Sequence, residues 1–202
     1  MPHAKPIVFV IDDDASVRAS LELLIESAGW HPATFGSAQA FLAHRHEFAP
    51  SCLVLDVGLP DLNGLDVQKL VAHRTEMPVI FITGYRDVPM TVRAMRAGAV
   101  EFLTKPLNGE ALVDAIRIAI DRSCCELRKA AQMRDLQDKY ASLTRREQEV
   151  MDLVVSGRLN KQVGGSLGIS EITVKAHRGR MMRKMNARNL PDLVRMAERL
   201  SL

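Results

Sequence analysis

Short apolar runs alternate with segments of helical periodicity through the first half of the chain. Four runs of four or five residues are rich in β-branched and aromatic side chains, at 7–11, 52–55, 79–82 and 100–103, and 32–35 is a weaker fifth. Strands that alternate with helices of about 10–15 residues form βαβ units, which build a parallel sheet covered on both faces. We therefore predict an α/β doubly wound domain around a five-stranded parallel sheet, occupying residues 1–122.

The charge of the chain is divided unevenly between its two parts. The 202 residues have a net charge of +3, but residues 1–122 hold 15 acidic and 11 basic side chains, whereas 123–202 hold 9 and 16. The two parts therefore carry net charges of −4 and +7. A strongly basic part is typical of a domain that binds a polyanion. We expect two domains with different partners.

Neither membrane insertion nor export is indicated by the sequence. The longest apolar run has five residues, far below the ~18 of a membrane span, and the first residues, MPHAKP, contain no apolar signal core. Three cysteines, Cys52, Cys124 and Cys125, are too few and wrongly spaced for a disulfide framework or a zinc site. We expect a cytoplasmic protein.

A helical linker is predicted between the two domains, at residues 123–141. The stretch 122–142 is charged, lacks Gly and Pro, and spaces Met133, Leu136, Tyr140 and Leu143 by three, four and three residues. This spacing gives a helix with one apolar stripe. The stripe fits two interpretations, a connector that packs on its own domains and a short coiled coil between two chains.

The last sixty residues carry the start and stop signals of four short helices. Thr144 and Glu147 form a capping-box pattern, Ser170 and Asn189 are further N-cap candidates, and Gly157 and Gly168 end helical segments. We predict a second, all-α domain of four helices over residues 142–202. Its middle helices have the length and spacing of a helix-turn-helix, in which the second helix enters the major groove of DNA.

Acidic, hydroxyl and amine side chains follow four of the predicted strands. Asp12 and Asp13 come after the first strand, Asp56 after the third, Thr83 after the fourth and Lys105 after the fifth. The carboxyl ends of parallel strands meet at one edge of the sheet, where ligands bind. Crowded carboxylates repel one another unless a cation is present, and hard oxygen ligands favour Mg²⁺. With this positive charge, Asp56 is a candidate nucleophile for phosphoryl transfer.

Four motifs in order resemble the receiver domain of two-component response regulators. They are VIDDD (10–14), LVLDVGLPDLNG (53–64), FITGYRDVPM (81–90) and AGAVEFLTKP (97–106). The resemblance covers about residues 5–122. It implies that Asp12 and Asp13 help to hold Mg²⁺, that Asp56 accepts phosphate from a histidine kinase, and that the backbone carbonyl of Gly58 completes the metal site.

The resemblance also implies a switch and shows departures from the family. Thr83 and Phe102 match the pair in which the hydroxyl moves toward the phosphoryl group and the aromatic ring turns inward, and Lys105 precedes a proline that is commonly cis. Gly58 and Tyr85 stand where relatives usually have a larger residue and a histidine. Both positions flank the phosphoryl site, so the lifetime of the phosphorylated state is not predicted.

Three further motifs resemble the helix-turn-helix domain of the LuxR/FixJ/NarL type. They are LTRREQEVMDLVVSG (143–157), NKQVGGSLGIS (160–170) and EITVKAHRGRMMRKM (171–185), and the receiver segments indicate the FixJ subfamily. By this resemblance Lys175 and Ala176 face base edges. Candidate contacts to DNA phosphates are Lys161, Thr173, Arg178 and Arg183.

Together these resemblances predict a DNA-binding response regulator and not an enzyme. Phosphorylation of Asp56 would control dimerisation, release of the DNA-binding domain, or both. The partners implied are a cognate histidine kinase, double-stranded DNA, RNA polymerase and a second copy of the chain, with Mg²⁺ as cofactor.

Two alternatives remain open. An aspartyl-phosphate phosphohydrolase would use the same nucleophile, but such enzymes commonly place a second Asp where this chain has Gly58, and the nearby Asp61 lies beyond a proline. The other alternative is a DNA-binding protein that does not respond to phosphorylation. The complete set of acids, threonine and lysine counts against it.

Overall fold

Five parallel strands form the sheet that the sequence predicts. A computed structural model describes residues 5–45, 49–84 and 88–201. The strands are β1 (Ile7–Ile11), β2 (His31–Phe35), β3 (Ser51–Asp56), β4 (Val79–Thr83) and β5 (Glu101–Thr104). Their order in the sheet is β2-β1-β3-β4-β5, and every neighbouring pair is parallel. This is the flavodoxin-like order. The chain adds strands first on one side of β1 and then on the other, so a crevice opens between β1 and β3 at their carboxyl ends.

Helices cover both faces of the sheet. They are α1 (Ala15–Ser27), α2 (Ala38–Ala43), α3 (Gly64–Val71), α4 (Val88–Arg96) and α5 (Gly109–Ala141). Alternate strand residues point to opposite faces, so Phe9 and Leu53 share a core with Phe41 of α2, whereas Val8 packs on the other face with Ile116 of α5. Burial on both faces explains why the strands read as continuous apolar runs.

Four strands differ from the sequence prediction by one residue at one or both ends, and among them β3 is longer at both ends and β4 extends to Thr83. The fifth was expected at 100–103 but lies at Glu101–Thr104, and its pairing with β4 begins just before it, where the Val100 N–H donates to the Val79 carbonyl. The second begins at His31 and contains a buried proline, Pro32. Proline lacks the N–H that a central strand needs, and β2 lies at the edge of the sheet.

The chain divides into two compact units, Met1–Arg128 and Lys129–Leu202. Helix α5 contains the whole predicted linker. Leu136 of this helix and Leu143 after it are buried in the core of the second unit, so the apolar stripe packs within the chain, as in the connector interpretation. Across the described residues, every helix falls short of the length or the apolar character that crossing a membrane requires.

The second unit contains the four predicted helices. They are α6 (Arg145–Val155), α7 (Asn160–Leu167), α8 (Glu171–Met185) and α9 (Leu190–Leu200). The side chains of Thr144, Ser170 and Asn189 each accept a hydrogen bond from a backbone N–H in the first turn of α6, α8 and α9, which confirms them as N-caps. Val174 and Met181 of α8 are fully buried.

A close approach of backbones shapes the turn between α7 and α8. Gly168 ends α7 with φ of +66°, a left-handed conformation that glycine adopts without strain. A Cβ built on Gly164 would lie 2.7 Å from the Ile169 carbonyl oxygen, so glycine lets the turn fold back tightly on α7. A Cβ on Gly165 would meet nothing within 4 Å, so that glycine only weakens the helix.

Replacing Gly165 by alanine should therefore stabilise α7, by up to ~1 kcal/mol of helix propensity. In the full chain, amide hydrogen exchange of α7 should slow by up to about fivefold. Gly164→Ala is the matched control and should gain less, because its methyl group displaces the Ile169 carbonyl. Equal slowing in both variants would contradict the packing described for Gly164.

Candidate functional site

The predicted site residues converge at the carboxyl edge of the sheet. Asp12 and Asp13 follow β1, Asp56 ends β3 beside it, and Lys105 follows β5. Ligand atoms of the three aspartates all lie within 4.8 Å of one another. Asp12 and Asp56 are buried and Asp13 is exposed, so the cluster opens to solvent on the Asp13 side.

Lys105 pairs with both buried carboxylates and balances one of their two negative charges. Its Nζ lies 2.7 Å from Asp12 Oδ2 and 2.7 Å from Asp56 Oδ2. Burial disfavours the charge on the Lys105 ammonium, but the hydrogen bonds to Asp12 and Asp56 outweigh this effect and raise the pKa of Lys105 above its ordinary value. The amine is therefore a permanent cation at neutral pH. The Lys105–Pro106 peptide bond is cis, as the family resemblance implies.

Backbone N–H groups hold the other oxygens of these carboxylates. Asp14 donates its N–H to Asp12 Oδ1 at 2.9 Å, and Gly58 donates its N–H to Asp56 Oδ1 at 3.1 Å. Asp14 also caps α1, where its carboxylate accepts the Ser16 N–H at 2.8 Å. Both buried carboxylates are therefore held by a cation on one oxygen and a backbone donor on the other.

Arg18 is a contributor that the sequence analysis does not identify. Its Nη1 donates to the carbonyl oxygens of Asp12 at 2.7 Å and Asp13 at 3.0 Å. In the sequence it is one more arginine on an amphipathic helix, and its spacing from the acids is the only signal. In the structure, Arg18 therefore supports the backbone of the acid pair, Asp12 and Asp13.

The donor set fits a divalent cation of the Mg²⁺ type. Three carboxylates within reach of one point offer hard oxygen ligands, and an open side leaves room for the waters that Mg²⁺ retains. Asp12, Asp13 and Asp56 are the described residues that would hold the ion. The carboxyl edge of the sheet is thus an acidic pocket that contains one fixed positive charge, the Lys105 ammonium.

Thr83 and Phe102, the predicted switch pair, lie on neighbouring strands and on the same face of the sheet. Phe81 pairs with Phe102 in the register, and Thr83 follows Phe81 by two residues. Thr83 is buried, whereas Phe102 is half-buried with its ring centroid 6.0 Å from that of Phe81. Thr83 therefore lies on the face of the sheet where the Phe102 ring packs. Tyr85 lies outside the described residues.

Asp61, the acid considered for a phosphohydrolase, caps α2 in the structure. Its two carboxylate oxygens accept the N–H groups of Ala38 at 3.3 Å and Gln39 at 3.0 Å. Partial burial opposes ionisation, but these backbone hydrogen bonds outweigh it and lower the pKa of Asp61. A carboxylate held ionised in this way is suited to capping and not to donating a proton.

The predicted DNA contacts fall into two groups on the second unit. Lys161, Lys175, Ala176 and Arg183 are exposed. Two others are half-buried and bonded within the helix-turn-helix: the hydroxyl of Thr173 shares a hydrogen bond with that of Ser170, and Arg178 Nη1 donates to Asn160 Oδ1 at 2.6 Å. Arg178 thus joins α8 to α7.

Ile172 is an exposed apolar residue on the outer face of α8. It is 81% exposed. Residues 172, 175, 176 and 179 recur at helical spacing, so Ile172 shares a face with Lys175, Ala176 and Gly179. A single isoleucine in a helix is normally part of the core, so the sequence pattern alone does not indicate this exposed position.

A buried carboxylate joins α8 to α6. Glu147 is 2% exposed, and its carboxylate lies 2.6 Å from Lys184 Nζ and 3.5 Å from Arg180 Nε. It also accepts the Thr144 N–H at 2.9 Å, which completes the capping box. The hydrogen bond from Lys184 holds the pKa of Glu147 below its ordinary value, although burial opposes this. Arg180 and Lys184 thus pair with α6 through Glu147.

Known families and proteins match both units. Residues 8–117 match the response regulator receiver domain, and 141–197 match the bacterial regulatory proteins of the luxR family. The chain is 48% identical to nodulation protein W of Bradyrhizobium diazoefficiens, over 98% of this chain and 88% of that protein. It is 41% identical to transcriptional regulatory protein FixJ of Azorhizobium caulinodans, over 98% and 93%. The structure of response regulator StyR matches with a TM-score of 0.84 and 47% identity, over 96% and 99%.

Both domains point to one class of protein, the transcriptional response regulators of two-component systems. The chain belongs to the FixJ/NarL family of these regulators, in which a receiver domain precedes a luxR-type DNA-binding domain. Membership implies a histidine kinase and DNA as partners. The predicted fold class and the predicted family are confirmed.

The buried Glu147 ion pair predicts a pH dependence of the second unit. Glu147→Gln should lower the free energy of unfolding by about 1–3 kcal/mol at neutral pH, the value of hydrogen bonds to a charged group. Because the folded pKa is depressed, this stabilisation is present above the ordinary pKa of 4.5 and is lost as pH falls through the lowered value. The unfolding free energies of wild type and variant in urea should therefore converge as the pH falls below 4.5 and through the lowered pKa of Glu147.

Glu149→Gln is the matched control for this prediction. The Glu149 carboxylate pairs with Arg146 and Arg145 at the surface, where ion pairs contribute little. A gap between wild type and Glu147→Gln that persists at low pH would contradict the assignment.

Proposed function

We propose that Asp56 accepts a phosphoryl group from the phosphohistidine of a cognate histidine kinase. The observation that carries this proposal is the position of the Asp56 carboxylate, at the end of β3 between the Lys105 ammonium and the acid pair. A carboxylate oxygen of Asp56 bonds to phosphorus as the phosphorus–nitrogen bond of the donor breaks, and the imidazole leaves. Little further chemistry is required, since phosphoryl transfer depends mainly on positioning and charge stabilisation.

The carboxylates of Asp12, Asp13 and Asp56, with the carbonyl of Gly58, hold Mg²⁺ in this proposal. When bound, Mg²⁺ neutralises charge on the phosphoryl oxygens. Lys105 pairs with another phosphoryl oxygen, because its ammonium is already fixed beside Asp56. Thr83 donates its hydroxyl to a third oxygen from the end of the neighbouring strand.

Phosphorylation then changes the surface formed by α4 and β5. Movement of Thr83 toward the phosphoryl group frees space for the ring of Phe102, which is half-buried on the same face. Three exposed apolar side chains lie nearby on one side of α4, namely Val88, Val92 and Met95. We propose this stripe, with β5, as the surface through which two phosphorylated chains dimerise.

The basic domain reads DNA through the outer face of α8. Lys175 and Ala176 contact base edges in the major groove, and Ile172 beside them offers an apolar contact to a thymine methyl group. The contacts to phosphates are assigned to Lys161, Thr173, Arg178 and Arg183.

In this proposal each part of the chain has its own role. The receiver is at 1–122, the helical linker at 123–141 and the DNA-binding domain at 142–202. Transcription further implies RNA polymerase as a partner and a cytoplasmic location.

Asp56→Asn should abolish dimerisation that depends on acetyl phosphate and Mg²⁺, because the amide is not a phosphoryl acceptor. Light scattering coupled to gel filtration measures this in the full chain. Asp61→Asn is the matched control and should dimerise like wild type, since an amide oxygen still caps α2. Dimerisation of Asp56→Asn to the same extent as wild type would refute the assignment.

Lys175 and Arg183 should differ in what they contribute to DNA binding. Lys175→Ala should reduce affinity for a duplex selected from a random library while leaving a scrambled duplex nearly unaffected. Arg183→Ala should weaken both duplexes alike and make the log–log salt dependence shallower by about one unit. Fluorescence anisotropy at several salt concentrations measures both effects, with Lys139→Ala on α5 as control. Equal losses in both variants on both duplexes would contradict the two roles.

A further inference from the structure

Arg18 connects helix α1 to the backbone of the two acids that follow β1. One nitrogen of its guanidinium, Nη1, donates to two successive carbonyl oxygens, those of Asp12 at 2.7 Å and Asp13 at 3.0 Å. The guanidinium is planar, permanently charged and rigid, so it fixes the direction of both carbonyls at once. Since a residue's carbonyl and side chain share one Cα, fixing these carbonyls also restricts where the two carboxylates lie.

The residue that follows the neighbouring strand β2 packs beside this arginine, at distances where a Cβ would make ordinary van der Waals contact. Gly36 follows β2, and a Cβ built there would lie 3.4 Å from Arg18 Nη1 and 3.6 Å from its Cζ. The Asp12 N–H donates to the Phe35 carbonyl at 3.2 Å, just before this glycine. The segment after β1 is therefore held from two sides, by the end of β2 and by Arg18.

We propose that Arg18 is a positioning residue for the divalent-cation site, which it preorganises by fixing the backbone of Asp12 and Asp13. The proposal rests on the proposed function, in which these acids hold Mg²⁺. Groups that orient metal ligands in this way commonly change metal affinity by about 10- to 100-fold when they are removed.

Electrostatics alone predicts the opposite sign for an arginine in this place. Removal of a positive charge near a cation site reduces repulsion and strengthens cation binding. Loss of a positioning residue weakens binding, because the ligands lose their preorganisation. The sign of the change in Mg²⁺ affinity therefore separates the two roles.

Calorimetric titration of the full chain with MgCl₂ tests the proposal. Arg18→Gln should bind Mg²⁺ at least ~10-fold more weakly than wild type. Arg18→Lys should also bind more weakly, because the ammonium keeps the charge but sits on a shorter, more flexible stem and lacks the planar geometry of the guanidinium. Arg96→Gln, at the far end of α4 near the opposite edge of the sheet, is the control and should bind like wild type. Thermal unfolding in EDTA, followed by circular dichroism, checks that each variant is folded.

A measurement on the unsubstituted protein covers the case of a variant that does not fold. In the NMR spectrum of the metal-free chain, the Nη protons of Arg18 should exchange slowly with water, while those of the exposed Arg96 exchange rapidly. Rapid exchange at Arg18 would overturn the proposal, as would tighter Mg²⁺ binding by Arg18→Gln with unchanged binding by Arg18→Lys. Failure of wild type to bind Mg²⁺ at all would instead refute the proposed function.

Discussion

The Lys105 ammonium lies 2.7 Å from each of two carboxylates at the ends of other strands, those of Asp12 and Asp56. A buried carboxylate without a partner is strongly unfavourable, so the ends of β1, β3 and β5 are held in one relative position by this contact. The same contact places Asp56, the proposed nucleophile, beside a fixed positive charge before any phosphoryl donor arrives. The fold and the chemistry of the receiver therefore depend on one set of ion pairs.

The second unit uses a buried carboxylate differently. Glu147 forms ion pairs with both Lys184 and Arg180. Its negative charge is therefore compensated within the fold, and the ion pairs hold α6 and α8 together. In the receiver, Lys105 pairs with Asp12 and Asp56 while Asp13 stays exposed beside them. That cluster keeps negative charge for a cation. Glu147 therefore stabilises α8, the helix that carries the predicted DNA contacts. The cluster of Asp12, Asp13 and Asp56 is suited instead to binding a cation.

Much of this arrangement follows from sequence patterns that report on local geometry. Apolar runs locate strands, and residues just after parallel strands meet at one edge, so Asp12, Asp56 and Lys105 are predictable as neighbours. Contacts between distant residues leave no such pattern. Arg18 resembles any helix arginine, and Arg178 was expected at a phosphate but also bonds Asn160 within the fold. Periodicity likewise defined the stripe on α5 without showing that Leu136 packs inside the second unit.

We propose that Asp56 is the phosphoacceptor of this regulator. Borohydride reduces an aspartyl phosphate to homoserine, which marks the modified residue permanently. The full chain, treated with acetyl phosphate and Mg²⁺ and then with borohydride, can be digested and sequenced by mass spectrometry. We predict homoserine at position 56 in place of aspartate. Homoserine at Asp12, Asp13 or Asp61 with position 56 unchanged, or no homoserine at all, would contradict the account.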